Sequence, residues 1–220
     1  MSVAQKTMVA SAKSRAEMQA DSREETREAL LSAARHIFSQ KGYYATNVSD
    51  IVSAVGMAQG SFYNYFRNKK AIFQEILQVF VDRIAEAVEN VDLASVQDDT
   101  SYYLVGMQLG STLTGIFNED HDLPRIFFRE AIAIDEDFDR IVDDAYARVT
   151  AATQAYVEQG QRVGIVRKDV DARVVATAMV GMCSHLYHRF LRQDFEGMAP
   201  SDLLRTLVSI HLKGILEPKD

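Results

Sequence analysis

A chain of 220 residues, 47% hydrophobic and 25% charged, can bury one large core or one small and one larger core. Its formal charge of −7 argues against indiscriminate adhesion to nucleic acid, but the charge is unevenly divided: residues 1–80 carry 10 Lys+Arg against 7 Asp+Glu, and residues 81–220 carry 14 against 24. A single cysteine, Cys183, excludes an internal disulfide framework, and no segment approaches the ~20 apolar residues of a membrane helix.

The first twenty residues lack the apolar core of a signal peptide, so a cytoplasmic protein outside any membrane is expected. With three prolines, no tryptophan and long runs of helical period, the expected fold is all-α. Residues 1–20 are small and polar, with Lys6, Lys13 and Arg15, and read as a flexible arm or an irregular helical extension. Ser22 followed by Glu25 makes a capping-box pattern, which predicts a first helix from there to about Gln40. It buries Leu30, Ala33, Ala34, Ile37 and Phe38, and Gly42 lies just past its end.

Between Ala45 and Phe73 two short helical patterns flank the turn Val55-Gly56-Met57. Thr46 or Asn47 is placed to cap the first, and Ile51, Val52 and Val55 form its apolar face. Gly56 suits the left-handed conformation that ends a helix tightly. In the second, Phe62 and Phe66 share the inward face, while Gly60, Tyr63 and Asn64 point the other way. Gln59 sits in its first turn, where recognition helices meet base edges. Gly60 permits close backbone approach, Gln59 and Asn64 offer donor and acceptor together, and Tyr63 reaches toward a phosphate. Lys69 and Lys70 open the following helix against its dipole, which costs ~0.3–1 kcal/mol and favours a nearby phosphate.

The run LLSAARHIFSQKGYYATNVSDIV, followed by VGMAQGSFYNYFRNKKAIF, resembles the TetR family of bacterial one-component transcriptional regulators. The resemblance covers about residues 25–80, and its most specific parts are the Phe-Tyr-Asn-Tyr-Phe run and the Asn-Lys-Lys step. Gln59 stands where many members carry Lys, and Asn64 where His is common, which leaves the operator sequence open. With the spacing, it points to Thr46, Gln59, Gly60, Ser61, Tyr63, Asn64, Tyr65 and Lys69 as DNA-contacting residues. It also implies a helix-turn-helix domain over residues 21–67, joined to a larger helical effector-binding and dimerisation domain over 68–220.

From about Asn68 a long helix carries Ile72, Phe73, Ile76, Leu77, Phe80, Ile84 and Val88 to near Asn90, and the polar run from Ser95 to Thr100 marks a loop. A helix from Ser101 to about Phe117 follows, then a short one with Pro124 in its first turn. Asp135, Glu136, Asp137 and Asp139 open another to about Gln159, with Gly160 and Gly164 at its exit. Asp169 is expected to start a helix to about Arg192, and Ser201 the last, to about Leu216. Small residues on one face of the penultimate helix, Ala178 and Gly181 leading to His185, permit close helix approach. Together with Leu204, Leu207, Val208 and His211 they form the expected homodimer interface, as the family's last two helices commonly do.

Cys183, His185 and His188 do not form a metal pattern, because Cys183 points away from the two histidines and no Cys-rich partner motif exists. No nucleophile triad order, Gly-rich phosphate loop or HExxH run appears, so neither an enzyme nor a cofactor is expected. Tyr103, Met107, Phe117, Phe127, Phe128 and Tyr146, with Arg129 as a polar contact, are the residues expected to line an effector cavity between helices. The expected function is a repressor released from an inverted-repeat operator by a small, largely apolar effector. The alternative is a helical ligand-binding or protein-interaction module whose helix-turn-helix is only an architectural corner.

Overall fold

A computed structural model describes residues 3–131 and 134–215, and among these it contains nine α-helices, one short 3-10 turn and no strand. No helix among the described residues is long and apolar enough to cross a membrane. The chain divides into two compact units between Ile76 and Leu77.

The first unit holds α1 (Val3–Lys41), α2 (Val48–Ala54), α3 (Gln59–Phe62) and the opening turns of α4 (Lys69–Glu89). Leu30, Ala34 and Phe38 recur every four residues on α1 and are fully buried with Ile51, Phe62, Ile72 and Phe73. The rings of Phe38 and Phe73 meet edge to face, 4.8 Å between centroids. This contact explains why the boundary falls nine residues beyond the expected 67/68 division. The first turns of α4 belong to the core of the head.

α1 also corrects one expectation, since it does not begin at Ser22 but is helical from Val3, the helical extension and not the flexible arm of the two alternatives. No Gly or Pro interrupts Val3–Lys41, and the early residues are rich in alanine, the strongest helix former. Ser22 is interior, and its carbonyl accepts from the Thr26 hydroxyl one turn on, at 2.8 Å.

The second unit holds the rest of α4, a 3-10 turn at Leu93–Ser95, α5 (Asp99–Glu119), α6 (Asp122–Arg129), α7 (Glu136–Arg162), α8 (Ala172–Leu191) and α9 (Pro200–Ile215). Aspartates start three of these helices by accepting from free first-turn N–H groups: Asp98 from Ser101, Asp135 from Asp137 and Phe138, and Asp171 from Arg173 and Val174. Asp171, and not Asp169, therefore starts α8. The Asp169 carboxylate is occupied by the Arg167 guanidinium.

The two dominant pairings are α7 with α8 and α5 with α9. Tyr102 on α5 and Tyr156 on α7 stack nearly parallel, 4.2 Å apart, within a core of Val96, Val105, Val157, Ile165 and Val166.

Candidate nucleic-acid interface and effector cavity

Asn47 is the N-cap of α2, and its own N–H donates to the Asp50 carboxylate at 3.0 Å, the return half of a capping box. That bond and Lys41 beside it hold the Asp50 carboxyl below its usual range. At the other end Gly56 adopts φ +69°. The Met57 N–H donates to the Val52 carbonyl at 2.9 Å, and the Gly56 N–H to the Ser53 carbonyl at 3.2 Å, the two bonds of a Schellman stop. A residue with a Cβ would pay for this conformation, so the glycine sets the sharp turn into α3.

α3 is regular only from Gln59 to Phe62, shorter than the expected run to Phe66. Beyond it the N–H groups of Tyr65 and Phe66 both donate to the Phe62 carbonyl, at 2.9 and 3.0 Å. This keeps the helical advance, so Phe62 and Phe66 both reach the core. Gln59, Gly60 and Asn64 are exposed, Tyr63 is 55% exposed, and Ser61 and Tyr65 are half-buried. A Cβ built on Gly60 would meet nothing within 4 Å, so no internal contact requires glycine there. Behind this surface α1 acts as a brace: Arg23 donates to the Asn64 carbonyl at 3.0 Å and lies over the Tyr65 ring, while Arg27 lies over Phe66 and pairs with Glu75.

Two expected DNA contacts are corrected. The Thr46 side chain is fully buried and its hydroxyl donates to the Gly42 carbonyl at 2.7 Å, so it closes the loop after α1 and cannot face outward. The Lys69 ammonium donates to the carbonyls of Tyr43 and Thr46, at 2.7 and 2.8 Å, and sits 4.4 Å from the centre of the Tyr43 ring. Burial pushes its pKa down. Both residues position the loop. One exposed side chain escaped the sequence reading: Tyr44, 72% exposed beside the buried face that Tyr43 packs on Phe38 and Phe73. The signal was the Tyr-Tyr pair itself, of which only one ring has room inside.

In the second unit a cavity of about 170 Å³ lies among α4 to α9. Phe117, Phe127, Phe128 and Tyr146 line it, as does Tyr187, whose ring lies 4.4 Å from that of Phe117. Of the other expected lining residues, Tyr103 and Arg129 are exposed, and Met107 is half-buried off the wall. The wall on α5 is instead formed from Gly106, Leu109, Gly110, Leu113 and Phe117, a helical stripe whose glycines let Tyr156 and Leu204 approach closely.

The residues expected at a dimer interface separate into two groups. Ala178, Gly181 and His185 are exposed on α8. Leu204, Leu207, Val208 and His211 line the cavity, because α9 packs on α5 so closely that a Cβ on Gly110 would come within 2.3 Å of Leu204 Cδ1. His211 is only 7% exposed, and burial lowers its pKa to about 4. Its Nε2 has no hydrogen-bond partner among the described residues.

Residues 30–76 match the profile of the tetR family of bacterial regulatory proteins, and residues 107–215 match that of the tetracyclin repressor-like C-terminal domain. The chain is 30% identical over 198 residues to the uncharacterized HTH-type transcriptional regulator YdgC of Bacillus subtilis, covering 87% of this chain and 93% of that protein. Among solved structures it resembles a transcriptional regulator from Saccharomonospora viridis in complex with choline, with a TM-score of 0.71, 22% identity, and coverage of 89% of this chain and 100% of that one. It also resembles the ketosteroid transcriptional regulator KstR2 of Mycobacterium tuberculosis, with a TM-score of 0.69, 22% identity, and coverage of 88% and 96%. At these identities the structural likeness speaks for the fold, and the family rests on the profiles and on YdgC. A helix-turn-helix that is merely an architectural corner is the less favoured reading, for the chain belongs to the bacterial TetR family and is a ligand-responsive, DNA-binding transcriptional regulator.

Proposed function

We propose that the protein is a homodimeric repressor whose Gln59, Gly60, Ser61, Tyr63, Asn64 and Tyr65 enter the major groove of an inverted-repeat operator, with Tyr44 as a flanking contact. The observation that carries this reading is the split of one short segment. Phe62 and Phe66 are sunk in the core, while Gln59, Gly60, Tyr63 and Asn64 between and before them are offered to solvent. Gln and Asn present paired donor and acceptor groups suited to base edges, and an exposed Tyr hydroxyl suits a phosphate.

The exposed stripe Val174, Ala178, Gly181, Met182 and His185 on α8 is the proposed seat of the second copy, together with the exposed Ile210 of α9. In such a dimer the two α3 segments must stand about one helical turn of DNA apart, ~34–36 Å, or a multiple of it. An effector in the cavity would change that spacing through α4, which begins in the head and continues into the body. Useful coupling is ~1–3 kcal/mol, or about 5–150-fold in operator affinity, and operator must weaken effector binding by the same factor. A cytoplasmic regulator, not an enzyme, fits this reading.

Selection of bound duplexes from random DNA tests it directly. The expected winner is two-fold symmetric and bound ~10³-fold or more tightly than a scrambled duplex at physiological salt. Weak, salt-labile binding with no enriched sequence would refute specific recognition.

A further inference from the structure

We propose that the cavity of the second unit selects a small, neutral, ring-bearing molecule and reads its one polar group by a hydrogen bond to His211 Nε2. The inference rests on the reading of this cavity as the effector site, and it names the chemistry that the site accepts.

Size comes first. A dry apolar cavity of about 150 Å³ accommodates one benzene ring, and the space here is about 170 Å³. One substituted ring is of the size that fills this space. The wall matches: Phe117, Phe127, Phe128 and Tyr187 form a contiguous set of edge and tilted ring contacts, which favours an aromatic occupant over an aliphatic one.

Charge comes second. None of the described residues lining the cavity is Asp, Glu, Lys or Arg. A carboxylate or an ammonium entering it would lose its water without meeting a counter-charge. His211 does not supply one, since burial keeps its imidazole neutral well below pH 7.

The polar group comes last. Several hydroxyls on the wall are already committed to backbone carbonyls: Thr153 donates to Val149 at 2.8 Å, Tyr156 to Tyr102 at 2.6 Å and Ser184 to Gly181 at 3.1 Å. Nε2 of His211 is buried and has no partner among the described residues, an arrangement that costs stability unless something answers it. A hydroxyl on the ligand answers either tautomer of a neutral imidazole, because it both donates and accepts.

The experiment is calorimetric titration of the full chain at pH 7 with p-cresol, with p-xylene (a methyl group in place of the hydroxyl) and with p-toluate (a carboxylate in its place). The wild type should bind p-cresol about 10-fold or more tightly than p-xylene, and p-toluate undetectably. His211→Leu should bind the two neutral rings alike. Tyr187→Phe should keep the preference, which separates His211 from the Tyr187 hydroxyl on the same wall. If His211→Leu does not fold, the wild-type comparison and Tyr187→Phe still decide. Equal binding of p-cresol and p-xylene to the wild type, tight binding of p-toluate, or loss of the preference in Tyr187→Phe would overturn the role of His211 while leaving the cavity as an effector site. Failure of all three to bind would overturn both readings together.

Discussion

The Lys69 ammonium donates to the carbonyl oxygen of Thr46 across 2.8 Å, tying the first residue of α4 to the loop that leads into the helix-turn-helix. A cation at a helix N-terminus opposes the dipole. Here the carbonyls of Thr46 and Tyr43 and the face of the Tyr43 ring offset both that repulsion and the loss of water.

Lys69→Met should therefore destabilise the protein by ~1–3 kcal/mol, because two partly buried carbonyls lose their donor. Lys41→Ala, which removes a half-exposed pair with Asp50, should cost less than about 1 kcal/mol. Urea unfolding measures both. The same variant decides between clamp and phosphate contact. Among folded molecules the slope of log affinity for DNA against log salt should stay unchanged in Lys69→Met, whereas loss of a phosphate contact would lower it by about 0.9.

Neighbouring residues of α3 should behave oppositely. Phe62→Ala leaves a void in the core of the head and should cost ~3–5 kcal/mol. Tyr63→Ala should change stability by less than about 0.5 kcal/mol, yet weaken binding to all DNA sequences. Gln59→Ala should relax specificity at one operator position. Thermal melts read beside operator titrations check all three, and an unfolded head in Tyr63→Ala would show that the faces are wrongly assigned.

Gly106 makes room for Tyr156. A Cβ there would lie 2.7 Å from the Tyr156 hydroxyl, which donates to the Tyr102 carbonyl at 2.6 Å. Gly106→Ala should cost ~1–3 kcal/mol by overpacking, and Tyr156→Phe ~0.5–1.5 kcal/mol by loss of the hydrogen bond. The double variant should cost less than the two together, since removing the hydroxyl relieves the clash. Chemical denaturation of the four proteins closes the cycle.

His211 sets a pH dependence whose sign follows from its burial. Its pKa falls from 6.5 to about 4 on folding, so between those values the unfolded chain binds more protons than the native one. Stability from this residue is complete above about pH 6.5 and is lost as pH falls toward 4, by at most about 3 kcal/mol. Asp171, whose pKa is lowered by the Arg173 guanidinium and by helix-start N–H groups, and Asp98, lowered by the Ser101 N–H and hydroxyl, contribute stability that is lost over lower pH in any variant. The difference in unfolding free energy between wild type and His211→Gln, followed from pH 7.5 to 4.5, isolates the histidine. A flat difference would contradict the assignment.

Local rules were enough to read the head from the sequence. The turn at Gly56, the inward pair Phe62 and Phe66 and the outward Gln59, Tyr63 and Asn64 all follow from helical period and from the φ that only glycine adopts cheaply. The all-α class and the acidic start of α7 at Asp135 were legible for the same reason, since each depends on residues within one or two turns. Tertiary structure alone decided the roles of Lys69 and His211, whose polar groups take their meaning from carbonyls, a ring or an empty space contributed from elsewhere in the chain, whereas Thr46 turns inward on a local bond to Gly42, four residues back. The cavity was mislocated in part for the same reason: sequence inspection weighs large aromatic residues, whereas Gly106 and Gly110 let Tyr156 of α7 and Leu204 of α9 close onto α5, and only that approach gives those small residues a consequence.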